Sequence, residues 1–522
     1  MNRKWISVML LLIFSLPALL TSCTQQSARS TSSQPLSLLP KPKSVKGTVQ
    51  KDGMYTAYKY NPTYTCTDES FYSAAAAFSE YGERLFGITF TEAADGEIRI
   101  AKDPEIESSA YRLVCREDGV TLSASDTEGI NHGFASLLQM MEKMDNGVSI
   151  PRLEVTDRPD SDYRGMMVDI ARNWHDISFL YDYVDMCYYY KLSVLHLHFT
   201  DSQSYTLPCT SYPELPTENR HYTKEEIASL VEYAYQRGIE LMPEIDIPGH
   251  CEPFQQKYPR IFGTSGIICQ HEESFQALRE IFNELCALFP HSKYIHIGGD
   301  EAAIQNWLKC NKCKKYAESQ GIDADGMPQK LASEQMYAHF IMQIADVVFQ
   351  NGRIPVAWEG FAKEVNDMVS KEILMMSWEN YYQPTPDLLE GGFRIINCSW
   401  VPMYVVTPNT HWSQEAVFNW NIYSWKPVHG GSPYLDGLTV EPTDQVMGGQ
   451  LLAWGDAIMT AYADNLEEGI RQEQKLLLER LPALAENTWN VADKEITYEA
   501  FTAAYEEANK DLAKILRNFK NQ

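Results

Sequence analysis

Among the 522 residues, the stretch His296-Ile297-Gly298-Gly299-Asp300-Glu301 gathers the groups best suited to acid–base work. It follows Ser292-Lys293-Tyr294-Ile295, whose apolar, β-branched run predicts a short buried strand. Two glycines then remove side-chain bulk, and two carboxylates follow side by side. Adjacent like charges repel and shift each other's pKa, so the pair is either a solvated turn or a proton-handling unit. An ordinary glycosidase sets two carboxylates across the bond it breaks, about 5 to 9 Å apart and from different strands. Neighbours in sequence approach from one side, which leaves Asp300 badly placed as a nucleophile opposite Glu301. If the pair is catalytic, another group must attack the anomeric carbon, and a 2-acetamido oxygen on the substrate can supply that attack.

Positioning such a pair calls for a rigid frame, and the chain after Asp157-Arg158-Pro159-Asp160 has the rhythm of one. Short apolar segments alternate with longer helical ones. Strands are predicted at Arg164–Ile170, Ser193–Phe199, Ile239–Pro243, Tyr294–Ile297, Ile354–Ala357, Ile373–Met376, Arg394–Ile396 and Gly448–Ala453. Helices are predicted at Ile177–Tyr190, Lys224–Gln236 and Glu272–Leu288. This alternation predicts an α/β fold, a (β/α)8 TIM barrel over residues 159–490, with a doubly wound open sheet as the structural alternative. No glycine-rich phosphate loop follows the first strand, which weighs against the open sheet. Asp201, Glu244 with Asp246, the acid pair, Trp358, Trp378 and Trp454 each fall within a few residues of a strand's C-terminal end, the face on which barrel enzymes build their sites. Acids walled by indoles suit a sugar, whose C–H faces stack on rings while its hydroxyls need charged or amide partners.

Residues 36–158 read as a small α+β accessory domain. Helices are expected at Ala74–Leu85 and Glu128–Met141, with strands at Gly96–Ile100, Tyr111–Cys115 and Gly119–Leu122. Residues 491–522, with helical spacing from Tyr498 to Phe519, read as a C-terminal packing segment after a helix at Leu466–Leu484. Between Pro408 and Val440 an aromatic insertion carries Trp412, Trp420 and Trp425, and we favour a leaving-group subsite over padding for it.

The formal net charge is -26 with no basic block, which argues against nucleic acid as a partner. Arg3 and Lys4 precede an apolar run to Leu20 and the tetrapeptide Leu20-Thr21-Ser22-Cys23. This order predicts a secretory signal over residues 1–22, and its end resembles a bacterial lipobox in which Cys23 becomes lipidated. Residues 23–35, rich in Ser, Thr and Gln, would be a flexible tether, and a lipid anchor would be the only link to a bacterial membrane. Cys310-Asn311-Lys312-Cys313 is the one close cysteine pair. Without a second pair it reads as a local disulfide or free thiols rather than a metal site.

Several segments in order resemble the family-20 glycoside hydrolases, the β-N-acetylhexosaminidases. They are Arg164-Gly165-Met166-Met167-Val168-Asp169 with Ala171-Arg172, Leu195-His196-Leu197-His198-Phe199-Thr200-Asp201, Met242 to His250, His296 to Glu301, and Gly448-Gly449 ahead of Ala453-Trp454. The resemblance implies an exo-acting, retaining enzyme acting on glycans with a terminal N-acetylhexosamine, without metal or organic cofactor. It implies that Glu301 is the general acid and then base, with a raised pKa, and that Asp300 stays ionised and holds the acetamido N–H. Tyr404 would bond the attacking acetamido oxygen. Trp358 and Trp378 would enclose the acetamido methyl, and Trp454 would stack beneath the ring. Arg164 would bind the outer hydroxyls, and Asp201 and His250 would orient the acid pair. Val406 stands where the family commonly has an acid, and Asp456 where it often has Glu, both addressing O4 and O6 of the terminal sugar. These departures leave the gluco/galacto preference open and leave room for a 6-substituent. Two other readings stay open: a non-catalytic glycan-binding surface lipoprotein, and a two-carboxylate retaining glycosidase using Asp201 or Asp246.

Overall fold

The computed structural model describes residues 31–34, 36–49, 54–406, 412–492 and 494–519. The expected signal segment and Cys23 lie outside them.

The centre is a closed barrel of eight parallel strands: β1 (Tyr163–Asp169), β2 (Val194–His198), β3 (Glu240–Glu244), β4 (Tyr294–His296), β5 (Ile354–Trp358), β6 (Leu374–Ser377), β7 (Arg394–Asn397) and β8 (Val446–Ala453). Every residue of β1 and β8 is buried, because barrel strands are covered by side chains inside and by helices outside. That is why most of their residues are apolar. The barrel closes where β8 pairs with β1, from Tyr163 opposite Gly448 to Val168 opposite Ala453. Gly448 sits at φ +146°, and a Cβ there would lie 1.8 Å from the Tyr163 carbonyl oxygen, so this seam admits only glycine.

The predicted helices lie at Ile177–Tyr189, Lys224–Gln236 and Glu272–Leu288. The second starts in a capping box between Thr223 and Glu226, the serine/threonine-to-glutamate signature of a helix start. A 22-residue helix, Gln329–Gln350, also precedes β5. Its buried side chains run from Ala332 to Val348 around much of its circumference, which blurs the amphipathic stripe that would have marked it.

Ahead of the barrel, helices Tyr72–Phe86 and Thr127–Met140 accompany a seven-stranded sheet containing Ile98–Lys102, Tyr111–Arg116 and Gly119–Ala124. A four-stranded sheet that includes Tyr55–Tyr60 and Gly147–Pro151 was not foreseen. The helix Leu466–Trp489 runs on past its predicted end, and Trp489 donates its indole N–H to Asp157 at 2.9 Å, tying barrel to accessory domain. The last helix, Tyr498–Ile515, stops short of Phe519. Beyond it the backbone N–H groups of Arg517 and Asn518 donate to Asp182 at 2.7 and 2.9 Å.

Candidate active site

The C-terminal ends of the barrel strands surround a cavity of about 200 Å³. That lies below the roughly 300–1,000 Å³ of sites for drug-sized ligands and is on the scale of one sugar ring. Arg172, Asp201, Asp246, His250, Asp300, Glu301, Trp378, Trp400, Tyr404, Val406, Trp454 and Asp456 line it.

Its foundation is Glu244, the last residue of β3. The fully buried carboxylate contacts His196 Nε2 at 3.0 Å, His296 Nδ1 at 2.9 Å and His198 Nδ1, and accepts the Trp358 indole N–H at 2.7 Å. Burial alone would push Glu244 up, but the fields of His198 and His296 hold it well below the usual carboxylate range. One carboxylate thus fixes side chains from β2, β4 and β5. His198 carries the network to Asp201, with Nε2 3.0 Å from Oδ2. Asp201 in turn meets His250 Nδ1 at 3.2 Å and Arg172 Nη2 at 2.7 Å. Burial opposes its charge, yet the hydrogen bonds from His198 and His250 keep its carboxyl far below the ordinary value.

The acid pair leaves β4 through Gly298 and Gly299. Gly298, at φ +71°, passes so close to β3's extension that a Cβ would lie 1.9 Å from Asp246 Oδ1. Gly299 donates its N–H to the same oxygen at 3.2 Å, and the Tyr337 hydroxyl donates to the Gly299 carbonyl. Glu301 and His250 both hold left-handed backbone, φ +50° and +44°, which non-glycine residues adopt at a cost and which clusters at functional sites. Across the mouth, His250 Nε2 lies 3.5 Å from Glu301 Oε2 and 3.9 Å from Asp246 Oδ2.

The electrostatics reverse the sequence expectation. Asp300 is 8% exposed. Burial, then the nearby Asp246 and Glu301 charges, push its carboxyl well above the ordinary range. Glu301 stands at the rim with 53% of its side chain exposed, and its hydrogen bond to His250 lowers it. Two adjacent acids therefore diverge because one points into the barrel and the other at a cation. Asp246 is pushed up to about 6 by burial. Among the described residues, Asp300 Oδ1 and the Trp378 indole nitrogen are buried without a hydrogen-bond partner, an arrangement that is costly unless a ligand satisfies them.

Rings form the wall. Tyr404 stacks on Trp378 at 6.1 Å between centroids and 15° between planes. It also lies 4.1 Å from Trp400 and 6.1 Å from Trp454. The Arg172 guanidinium sits 5.2 Å over Trp454, with Asp169 at 3.0 Å and Asp456 at 2.8 Å. Buried Glu359 accepts from the Trp378 backbone N–H at 3.1 Å, from Tyr381's at 2.9 Å and from the Ser377 hydroxyl at 3.0 Å, fixing the loop that presents Trp378.

Three expectations are corrected. Arg164 does not reach the cavity: it lies at the N-terminal end of β1, the opposite face of the barrel. There it donates to Glu128 at 2.9 Å and to the carbonyls of Ser161 at 2.7 Å and Lys191 at 2.9 Å. The arginine in the site is Arg172, three residues past the end of β1. Trp358 is 1% exposed and lies behind the open lining, 4.7 Å from His296 and 6.0 Å from Trp454. In the insertion, Trp420 and Trp425 are buried with their N–H groups on the carbonyls of Ser424 at 3.0 Å and Ser377 at 3.1 Å, so they pad the barrel instead of lining a subsite. Sequence reasoning also gave no role to Arg172, Trp400 or the Glu244 network, and named Asp246 only as an alternative nucleophile. Period-two alternation in Leu195 to His198, which points both histidines inward, was the signal available for the network.

Residues 162–492 match the family model "Glycosyl hydrolase family 20, catalytic domain", and residues 36–158 match that family's domain 2. A β-hexosaminidase of Akkermansia muciniphila is 35% identical over 49% of this chain and 56% of its own length. One from Vibrio furnissii is 26% identical over 70% of this chain and 63% of its own length. The chain thus spans 56% and 63% of the length of these two relatives. The exo β-N-acetylglucosaminidase of Vibrio harveyi, solved with N-acetylglucosamine, shares the fold at a TM-score of 0.76 and 22% identity, covering 94% of this chain and 80% of that one. The β-N-acetylhexosaminidase of Bacteroides fragilis does so at a TM-score of 0.70 and 20% identity, covering 89% and 93%. With both its barrel and its leading domain matched in order, the chain belongs to glycosyl hydrolase family 20.

Proposed function

We propose that this protein is an exo-acting, retaining β-N-acetylhexosaminidase that removes terminal β-linked GlcNAc or GalNAc with help from the substrate's own acetamido group. The observation that carries this reading is Asp300 Oδ1, buried in the indole-walled cavity with no hydrogen-bond partner among the described residues. A sugar seated on Trp454 would bring its acetamido N–H to that oxygen and its acetamido oxygen to the Tyr404 hydroxyl. The oxygen then closes on the anomeric carbon as the glycosidic bond breaks, forming an oxazolinium ion whose positive charge favours ionised Asp300. Glu301 gives its proton to the departing oxygen and afterwards takes one from the water that opens the ring. The hydrogen bond from His250 lowers the Glu301 carboxyl, favouring its ionised form. A bound sugar would shed water from the rim, and that desolvation favours the protonated acid.

Arg172, Asp456 and Val406 face the remaining hydroxyls. Three carboxylates engage three of the five N–H groups of Arg172, which lies over Trp454, so one N–H on each terminal nitrogen is left for a ring stacked there. Apolar Val406 leaves space for a substituted 6-position. Rates on 6-sulfated, plain gluco- and galacto-configured aryl glycosides test that finer reading, and a strong preference for the plain gluco sugar removes it.

A thiazoline mimic of the bicyclic intermediate tests the mechanism. Potent competitive inhibition is expected. A trapped glycosyl-enzyme on Asp201 or Asp246 would instead establish a two-carboxylate route, and tight binding without turnover would leave a glycan-binding protein. We further propose export and lipid anchoring through Cys23, on the strength of Leu20-Thr21-Ser22-Cys23. Lipid labelling of wild type, lost in Cys23→Ser, is the expected result. Among the described residues no helix is long and apolar enough to cross a membrane.

A further inference from the structure

Behind the acid pair, the chain brings together three cysteines that sequence spacing left as a pair and a singleton. Cys310 and Cys313 flank the start of the helix Asn311–Ser319, and Cys269 arrives from the long segment that follows β3. Cys269 Sγ lies 3.4 Å from Cys313 Sγ and 3.7 Å from Cys310 Sγ, and all three sulfurs fall within 4.8 Å of one another. A disulfide would bring one pair to about 2.05 Å and leave the third sulfur apart. Here Cys269 instead stands at similar distances from both partners. Four thiolates at about 2.3 Å from a zinc ion stand about 3.8 Å apart along each tetrahedron edge, close to the separations observed.

We infer that Cys269, Cys310 and Cys313 form a structural site for a soft divalent cation, best met by Zn(II). The surroundings suit thiolates. The Gln270 backbone N–H donates to Cys313 Sγ at 3.3 Å, the usual way a backbone amide supports a metal-bound sulfur. Cys310 is the N-cap of the helix and Cys313 lies in its first turn, where the free N–H groups favour negative charge. Lys309, Lys312 and Lys314 flank the pair in sequence. Cys269 and Cys313 are buried, while Cys310 is partly open. The fourth position would therefore face the Cys310 side and take water. Binding is not a redox step: three sulfur lone pairs go to the ion, and the thiol protons go to solvent.

The position gives the site a purpose. Cys269 belongs to the segment after β3 that carries Asp246 and His250, and Cys310 follows Glu301 by nine residues. Between them Trp307 donates its indole N–H to the Ile268 carbonyl at 2.8 Å. An ion here would fasten the loop of His250 to the loop of the acid pair, from behind the catalytic face.

The test uses tag-free full-length protein, purified under reduction, stripped with a chelating resin and reloaded with Zn(II) or Co(II) alone. One equivalent of Zn(II) per chain by elemental analysis is expected, together with an intense thiolate-to-Co(II) charge-transfer band in the near ultraviolet. Cys310→Ser, at the most exposed of the three, should lose the band, while Cys66→Ser, at a distant buried thiol, should retain it. Zn(II) should also raise the Tm of wild type but not that of Cys310→Ser. Absence of stoichiometric metal and of the band in wild type overturns the inference. So does peptide mapping that finds any two of the three joined as a disulfide in freshly isolated protein. Because wild type alone gives the metal content, the band and the mapping, a variant that fails to fold does not rescue the idea.

Discussion

Two arginines separated by eight positions fall on opposite faces of the barrel, and of their methionine variants only that at Arg172 should lose activity on substrate. Arg164 is 1% exposed and donates to two buried carbonyls, Ser161 and Lys191, to Glu128, and packs 5.4 Å over Trp489. Methionine would leave two buried acceptors unmet at about 1–3 kcal/mol each. Glu128 is 35% exposed and rehydrates, so loss of that pair adds at most about 1 kcal/mol. Methionine keeps part of the contact with Trp489, and the net cost is about 3–5 kcal/mol, or a fall in Tm of about 3–5 °C for a chain of this size. KM for an aryl β-N-acetylglucosaminide should stay within about two-fold of wild type. Arg172→Met removes a charge-assisted hydrogen bond to the sugar, about 1.5–3 kcal/mol, which is about 10- to 150-fold in kcat/KM. The assays are thermal unfolding and Michaelis kinetics on both variants. Should Arg164→Met raise KM ten-fold at unchanged Tm, or Arg172→Met keep kcat/KM within two-fold, the assignment of faces is wrong.

Other perturbations probe the acid pair. Gly298→Ala forces a Cβ to 1.9 Å from Asp246 Oδ1 at φ +71°, so backbone strain of about 1–2 kcal/mol and overpacking of about 1–3 kcal/mol should destabilise by about 2–5 kcal/mol; an unchanged unfolding midpoint would refute the close approach. Glu301→Gln should slow a substrate with a poor leaving group by about 10²–10⁴ in kcat while a strongly activated aryl glycoside loses much less, and equal losses on both would deny it the acid role. His250→Asn removes the cation that lowers Glu301, so the acid holds its proton to higher pH and the alkaline limb of kcat/KM should move upward; a limb that stays put or moves down would contradict the geometry.

The barrel was legible because its strands are short, buried on both faces and separated by helices of strong periodicity, as Arg164–Ile170 and Glu272–Leu288 illustrate. The helix Gln329–Gln350 escaped because burial around much of its surface erased the polar face that periodicity detects. Strand ends were accurate enough to put Asp201, Asp300, Trp378 and Trp454 on one rim. They were not enough to rank Arg164 against Arg172, because one residue begins β1 and the other lies just beyond its end.

Sequence alone determined which groups are present and in what order: adjacent acids after two glycines, aromatic residues at strand ends, and a motif series pointing to one family. Only the tertiary structure decided which way each charge faces. Asp300 and Glu301 are chemically near-equivalent neighbours, but a left-handed residue at Glu301 turns one side chain toward Asp246 in the barrel and the other toward His250 at the rim. Burial and Coulomb fields depend on distance through space, and the groups that set them come from β2, β3 and β4, far apart along the chain.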